Sequence, residues 1–224
     1  MRCWGDNCYG QLGDNTVTIA AVPPMNDVIS DVQAIAAGAY FTCALTTGGV
    51  RCWGSNEGNP LGDMKSTSTA NYRVSPPETD FITGIQSMAT GYEHACGLTL
   101  TGGLSCWGNG GYTFPIGRLD PNVATDVRSV AAGHIVTCAL KTNSDVRCWG
   151  DHRWYGPFGQ YLSDPRASDV VISDVKAIFG KEYTFCAIIT AGGVRCWGDG
   201  DEGQLGDGNV TNSAEALQVI ETCQ

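Results

Sequence analysis

Cys3-Trp4-Gly5, Cys52-Trp53-Gly54, Cys106-Trp107-Gly108, Cys148-Trp149-Gly150 and Cys196-Trp197-Gly198 punctuate a chain of 224 residues at intervals of 42 to 54 positions. Tryptophan is among the rarest residue types, so a tripeptide that carries it five times at a similar interval marks a structural period. Each unit of such an array buries its apolar face only against its neighbours, and both fold and binding surface follow from the unit. Outward from the tripeptide the unit begins Val-Arg-Cys-Trp-Gly and passes a glycine-rich turn, fullest in Gly10-Gln11-Leu12-Gly13-Asp14 and Gly203-Gln204-Leu205-Gly206-Asp207. Pro60-Leu61-Gly62-Asp63, Pro115-Ile116-Gly117 and Pro157-Phe158-Gly159 are weaker copies of that turn. The second half reads Val32-Gln33-Ala34-Ile35-Ala36-Ala37-Gly38 and then Thr42-Cys43-Ala44-Leu45. Residues 127–140 repeat it closely, and residues 85–98 and 175–188 more loosely. Short apolar runs between clusters of Gly, Asp, Asn and Pro are strand chemistry, and helices have almost no place to form. About four short strands per unit of roughly 45 residues describe a propeller blade, so the expected fold is all-β and radial, in one domain over residues 1–224.

The order Cys-Trp-Gly, Gly-Gln-Leu-Gly-Asp, Val-x-x-Ile-x-x-Gly, Thr-Cys-Ala-Leu, Gly-Gly-Val-Arg resembles the regulator of chromosome condensation repeat family, in a cysteine-rich form of bacterial or extracellular type. The resemblance implies a β-propeller of four-stranded blades, usually closed as a ring of seven. Here four units are complete, at about 2–49, 50–103, 104–145 and 146–193, and a fifth, 194–224, stops before its Thr-Cys-Ala-Leu strand. Four to five blades make either a fragment of the usual wheel or a ring smaller than it; a closed ring, an open arc and an oligomer completed by a second copy all remain open. The family builds a blade from two successive repeats, so residues 2–25 and 210–223 could meet as a clasp.

Composition narrows the function classes. A net charge of −10, from 23 acidic and 13 basic residues without any Lys or Arg cluster, disfavours nucleic acid, whose affinity for proteins rests on neutralised phosphates. No apolar run approaches the length of a membrane span, and the opening residues lack the layout of a signal peptide.

Eleven cysteines are many for this length. Eight fall nine or ten residues apart across short polar turns: Cys43 with Cys52, Cys96 with Cys106, Cys138 with Cys148, Cys186 with Cys196. That spacing can set two cysteines directly opposite on one sheet face, at the separation a disulfide requires. Four disulfides within blades are expected; the alternative is reduced thiols packed between blades. Cys3 with Cys223 would lock a ring shut, leaving Cys8 odd. Disulfides place the protein in an oxidising compartment, outside the cell or on its surface, and the sequon Asn209-Val210-Thr211 is consistent with export.

No catalytic motif, cofactor fingerprint or metal set is present, and the expectation is a non-enzyme without cofactors. His94 and His134 occupy equivalent loops and read as exposed loop residues rather than catalysts. The acidic stretch Asp199–Asp207 lacks the bidentate Glu of a calcium loop and reads as a turn. The Gly-Trp-Arg-His-Thr motif of light-sensing members is absent. The loops after the Ala-Ala-Gly strands vary most: Tyr40 and Phe41; Tyr92, Glu93 and His94; His134 and Ile135; Lys181, Glu182 and Tyr183. In a wheel they converge on one rim, with a composition suited to protein binding, or they plug the central channel. Trp154, in an aromatic-rich loop, is either a further anchor or a gap filler. The resemblance and these residues imply an extracellular scaffold that binds a protein partner; a guanine-nucleotide exchange factor for a small GTPase and a glycan-binding propeller are the alternatives, and self-association is open.

Overall fold

The computed structural model describes residues 1–63, 71–109, 120–150 and 170–219. Every element among them is a strand. The first sheet holds β1 (Val32–Ala37), β2 (Phe41–Thr46), β3 (Val50–Ser55) and β4 (Tyr72–Arg73), and the second β5 (Ile85–Thr90), β6 (His94–Thr99), β7 (Leu104–Gly108) and β8 (Asp120–Ala124). The third holds β9 (Val127–Ala132), β10 (Val136–Lys141), β11 (Val146–Gly150) and β12 (Val170–Ile172). The fourth holds β13 (Val175–Lys181), β14 (Thr184–Ile189), β15 (Val194–Gly198) and β16 (Ser213–Gln218). Each is an antiparallel meander with its strands side by side in chain order, so the chain forms four propeller blades.

The blades are phased half a unit from the tripeptide count. Cys-Trp-Gly lies on the third strand of each sheet, and the first copy, residues 3–5, has no sheet of its own: Gly5 makes only an isolated antiparallel bridge with Ala20. Residues 1–29 instead lie on the first blade, where Met1, Val28 and Ile29 pack with Ala44 and Trp53. Among the described residues no ladder joins them to residues 213–218, which pair with β15.

Register explains the cysteines. Cys43 opposes Cys52, Cys96 opposes Cys106, Cys138 opposes Cys148 and Cys186 opposes Cys196. Their Cα atoms stand 4.0–4.1 Å apart and all four pairs are bonded. Loops this short contribute about 2–3 kcal/mol each in the chain-entropy account. Cys3, half-buried, and Cys8, exposed, are free thiols; Cys223 lies outside the described residues.

Blades meet in one way at every inner junction. Cys43, Leu45, Val50 and Cys52 of the first face Ile85, Ala95 and Trp107 of the second. Cys96, Leu98, Leu104 and Cys106 of the second face Val127, Ala139 and Trp149 of the third. Cys138, Leu140, Val146 and Cys148 of the third face Val175, Ile178, Ala187 and Trp197 of the fourth. The disulfide face of one blade thus receives the indole face of the next. Trp53, Trp107, Trp149 and Trp197 are each at most 1% exposed, whereas Trp4 is 56% exposed.

Glycine-rich turns seat the first two of those rings. Trp53 Nε1 donates to the Gln11 carbonyl (3.0 Å) and Trp107 Nε1 to the Pro60 carbonyl (2.9 Å), at equivalent places in successive turns. A buried asparagine two residues after the glycine of the first and second Cys-Trp-Gly shapes the turn. Asn7 Oδ1 accepts from Leu12 N (2.9 Å) while its Nδ2 donates to Asp14 and to the Thr16 and Thr18 carbonyls. Asn56 repeats the arrangement with Leu61 and Asp63. Gly13, at φ 76°, presses against the ring: a Cβ there would stand 2.6 Å from Trp53 Nε1. Only glycine combines that backbone with that approach.

Replacing Trp107 by Ala leaves a cavity between two blades and strands the Pro60 carbonyl. The expected loss is about 3–5 kcal/mol of unfolding free energy, read from the urea midpoint of purified protein.

Candidate functional site

Where the inner strand of each blade turns back into the second, the connecting loops lie side by side, and main-chain hydrogen bonds tie them across blades. Tyr92 N donates to the His134 carbonyl (3.1 Å), and His134 N to the Glu182 carbonyl (2.5 Å). On this frame the rings form a continuous row. Tyr9 lies 5.0 Å from Tyr40, Tyr40 meets Tyr92 edge-on at 5.9 Å, Tyr92 stacks on His134 at 4.2 Å, and His134 stacks on Tyr183 at 4.7 Å. Aromatic contacts of this kind hold each ring in place beyond their area alone. The row borders a concavity of about 620 Å³, floored by Gly38, Gly91, Gly133 and Gly180 and walled by Tyr92, His134, Lys181, Glu182 and Tyr183.

Carboxylates set the electrostatics. Glu93 Oε2 accepts from Asn109 Nδ2 (2.9 Å). The phenol of Tyr92 is held above its usual pKa, first by its hydrogen bond with Tyr40, then by burial and by the charges of Tyr40, Glu93 and Glu57. His134 is pulled below the usual histidine value by burial, against the opposing pull of Glu93 and Glu182. Lys181 is the cation on this wall.

The sequence placed ten loop residues and Trp154 on this rim, and the structure divides them. Tyr40, Tyr92, His134 and Tyr183 come together in the row, and Glu93, Lys181 and Glu182 flank it. Ile135 is half-buried against the core cluster of the third and fourth blades. Phe41 and His94 are core residues, a correction to their placement on the rim: they are 2% and 0% exposed. Each starts the second strand of its blade, and its ring sits under the preceding glycine, where a Cβ on Gly38 or Gly91 would lie 2.0 or 2.1 Å from it. His94 is therefore not the exposed loop histidine its sequence position suggested. Trp154 lies outside the described residues.

Two contributors were missed. Tyr9 comes from the turn after the first Cys-Trp-Gly, and Glu57 from the equivalent turn after the second, regions read only as turns. The signal would have been the blade phasing, which brings those turns beside the rim loops. In Asp199–Asp207, Asp199 Oδ1 accepts from Asp201 N and Asp207 Oδ1 from Asn209 N, the turn bonding expected there. Among the described residues no group of three His, Cys, Asp or Glu could hold a metal ion.

His94 gives the site a pH dependence. Its Nε2 is 2.9 Å from Thr137 Oγ1, and Nδ1 has no partner. Burial, with the charge of His134 second, pushes its pKa from 6.5 down to about 4. The unfolded chain takes up this proton near pH 6.5 and the folded chain only near pH 4, so the stability from neutral His94 is complete above 6.5 and lost as the pH falls toward 4. At about 1.4 kcal/mol per pH unit, roughly 3 kcal/mol is at stake. His94→Phe, copying Phe41 of the first blade, is expected to remove that share of the loss in urea unfolding between pH 7 and pH 4 while leaving the other titrating groups in place.

Residues 32–58 and 85–113 match the regulator of chromosome condensation (RCC1) repeat. Over 119 residues, 49% of its length, the chain is 30% identical to the probable E3 ubiquitin-protein ligase HERC4 of Homo sapiens, of which it covers 11%. Yeast RCC1 (Prp20), in its crystal structure with Kap60, is similar at a TM-score of 0.79 and 18% identity, over 94% of this chain and 54% of that one. Human WBSCR16 is similar at a TM-score of 0.77 and 22% identity, over 98% of this chain and 62% of that one. The chain spans little more than half the length of these propellers and about a tenth of HERC4. The chain thus carries regulator of chromosome condensation repeats at residues 32–58 and 85–113 and shares the β-propeller fold of these structures along its length.

Proposed function

We propose that this protein is a non-enzymatic interaction scaffold that binds a protein partner across the Tyr9-Tyr40-Tyr92-His134-Tyr183 row. The observation that carries the reading is the row itself, five rings from successive blades and one turn, with cross-blade main-chain bonds tying the loops of Tyr92, His134 and Tyr183. Tyrosines already ordered lose little conformational freedom on binding, which is why they recur at the centres of protein interfaces. Glu57, Glu93 and Glu182 around the row, on a chain of net charge −10, favour a partner segment carrying Lys or Arg, whose cation can stack on a ring face and pair with a carboxylate. Structural relatives have protein partners: Kap60 is bound to yeast RCC1, and Prp20p has binding properties toward Gsp1p and histones. They support protein binding as the class of activity.

We place the protein outside the cell or on its surface, because four disulfides persist only where the medium is oxidising. No helix of the described residues is long and apolar enough to cross a membrane.

The test compares partners captured by immobilised wild type with those captured by a Tyr40→Ala, Tyr92→Ala, Tyr183→Ala variant. Loss of the wild-type partners is expected, with capture by wild type weakening as salt is raised. Survival of every partner on the triple variant removes the rim assignment.

A further inference from the structure

Asn209-Val210-Thr211 is the one Asn-x-Ser/Thr tripeptide in the chain, and the interaction proposed above makes no use of it. It follows Gly203-Gln204-Leu205-Gly206-Asp207 in the connection from β15 to β16, within residues 206–212, which belong to no strand. All three residues are exposed, Val210 by 67%.

Repetition shows that this exposure belongs to the position in the unit, whichever blades stand beside it. Residues 10–18 and 203–211 form the same turn. Asp14 Oδ1 accepts from Thr16 N (3.0 Å) as Asp207 Oδ1 accepts from Asn209 N (3.1 Å), and Leu12 and Leu205 are both buried. Thr16, Val17 and Thr18 therefore stand where Asn209, Val210 and Thr211 stand in the later copy. The first copy has the next indole seated on it, Trp53 on the Gln11 carbonyl, and Thr16, Val17 and Thr18 remain exposed. The later copy has its own blade in place, β13 to β16, and Asn209, Val210 and Thr211 remain exposed. Neither the blade that carries the turn nor the blade that rests on it covers the tripeptide.

The loop is anchored while the amide stays accessible. Gly200 N donates to Asn212 Oδ1 (2.8 Å), and the Thr211 carbonyl lies so close to Gly200 that a Cβ there would stand 2.1 Å from it. Asn209 Nδ2 donates to Asp207 Oδ2 (3.0 Å), an exposed contact between residues two apart. Water can replace such a bond at little net cost, which frees the amide for another partner.

We propose that Asn209 is the acceptor of an N-linked glycan. The inference rests on the placement of the protein outside the cell or on its surface, because the tripeptide is modified on the export route and the sugar needs a surface loop. The donor is an oligosaccharide carried on a lipid pyrophosphate. The Asn209 side-chain nitrogen attacks the anomeric carbon of the sugar. As the carbon–nitrogen bond forms, the bond from that carbon to the pyrophosphate oxygen breaks. The lipid pyrophosphate leaves with the bonding pair, and the amide gives up one proton.

The test routes the whole chain into the secretory pathway of cultured mammalian cells behind a cleavable leader. Intact mass, a peptide map and a count of alkylated thiols are taken on the product recovered from cells and medium. Wild type is expected to carry an N-glycan that peptide:N-glycosidase removes, converting Asn209 to aspartate in the map. Asn209→Gln and Thr211→Ala are each expected to lose the glycan completely, and Thr211→Ser, which keeps the hydroxyl, to retain it. Far-UV circular dichroism checks that the variants keep the fold. Wild type of unmodified mass, or a glycan that persists on Asn209→Gln, overturns the proposal. The thiol count reads the compartment separately. An unmodified chain with its four disulfides formed removes the acceptor alone, and one with those cysteines free removes the oxidising compartment as well.

Discussion

The first two blades are each held to the segment before them by an indole ring closed into a turn. Trp53 and Trp107 carry their one polar atom into the interface, and the preceding repeat's turn meets it with the carbonyl of Gln11 or Pro60. A buried N–H without a partner costs on the order of 1–3 kcal/mol, so at these two junctions turn and ring support each other; Trp149 Nε1 and Trp197 Nε1 are buried without a partner among the described residues. Asn7 and Asn56 complete the coupling by satisfying the main chain of turns that would otherwise leave donors unpaired inside the protein. The repeat is thereby a statement about pairs of units. Trp4 meets no such partner face among the described residues and is exposed, whereas Trp53, Trp107, Trp149 and Trp197 are buried.

That constraint carries through to the rim. With blade spacing set by the indole junctions, the inner loops come close enough for Tyr92 to bond His134 and His134 to bond Glu182 through the main chain. Side chains at one level then stack outward as Tyr92, His134 and Tyr183, and those just beneath turn inward as Phe41, His94 and Phe185. The row rests on these junctions, and glutamates on the same loops and the neighbouring turn lie beside it. His94 marks the boundary between the levels: it occupies a place filled by phenylalanine in the first blade and stays neutral there.

Much of this was legible in the residues. The interval between tripeptides, the alternation in Thr-Cys-Ala-Leu and the nine- or ten-residue cysteine spacing each encode a local distance, and local distances survive folding. The division of the rim loops was less legible because it depends on single-residue offsets. Five residues separate Gly38 from Cys43 and Gly91 from Cys96, but six separate Gly180 from Cys186, with Lys181 the addition, so residues that align by eye point to different levels. Histidine at position 94 gave no sign of burial, since the feature that buries it is the glycine three residues earlier, which leaves room for a ring. Tyr9 and Glu57 reach the site from turns distant in sequence, through a phasing of blade against repeat that the tripeptide count does not reveal.

The central claim is that the indole N–H groups of Trp53 and Trp107 are locked by the preceding turn until the blades themselves separate. Native-state hydrogen exchange of the tryptophan side chains, followed by NMR on protein labelled at the indole nitrogen, tests it directly. The account predicts that both protons exchange only through openings whose free energy approaches that of global unfolding, with the two values falling together in denaturant. Exchange of either proton through small local fluctuations, insensitive to denaturant, would contradict it.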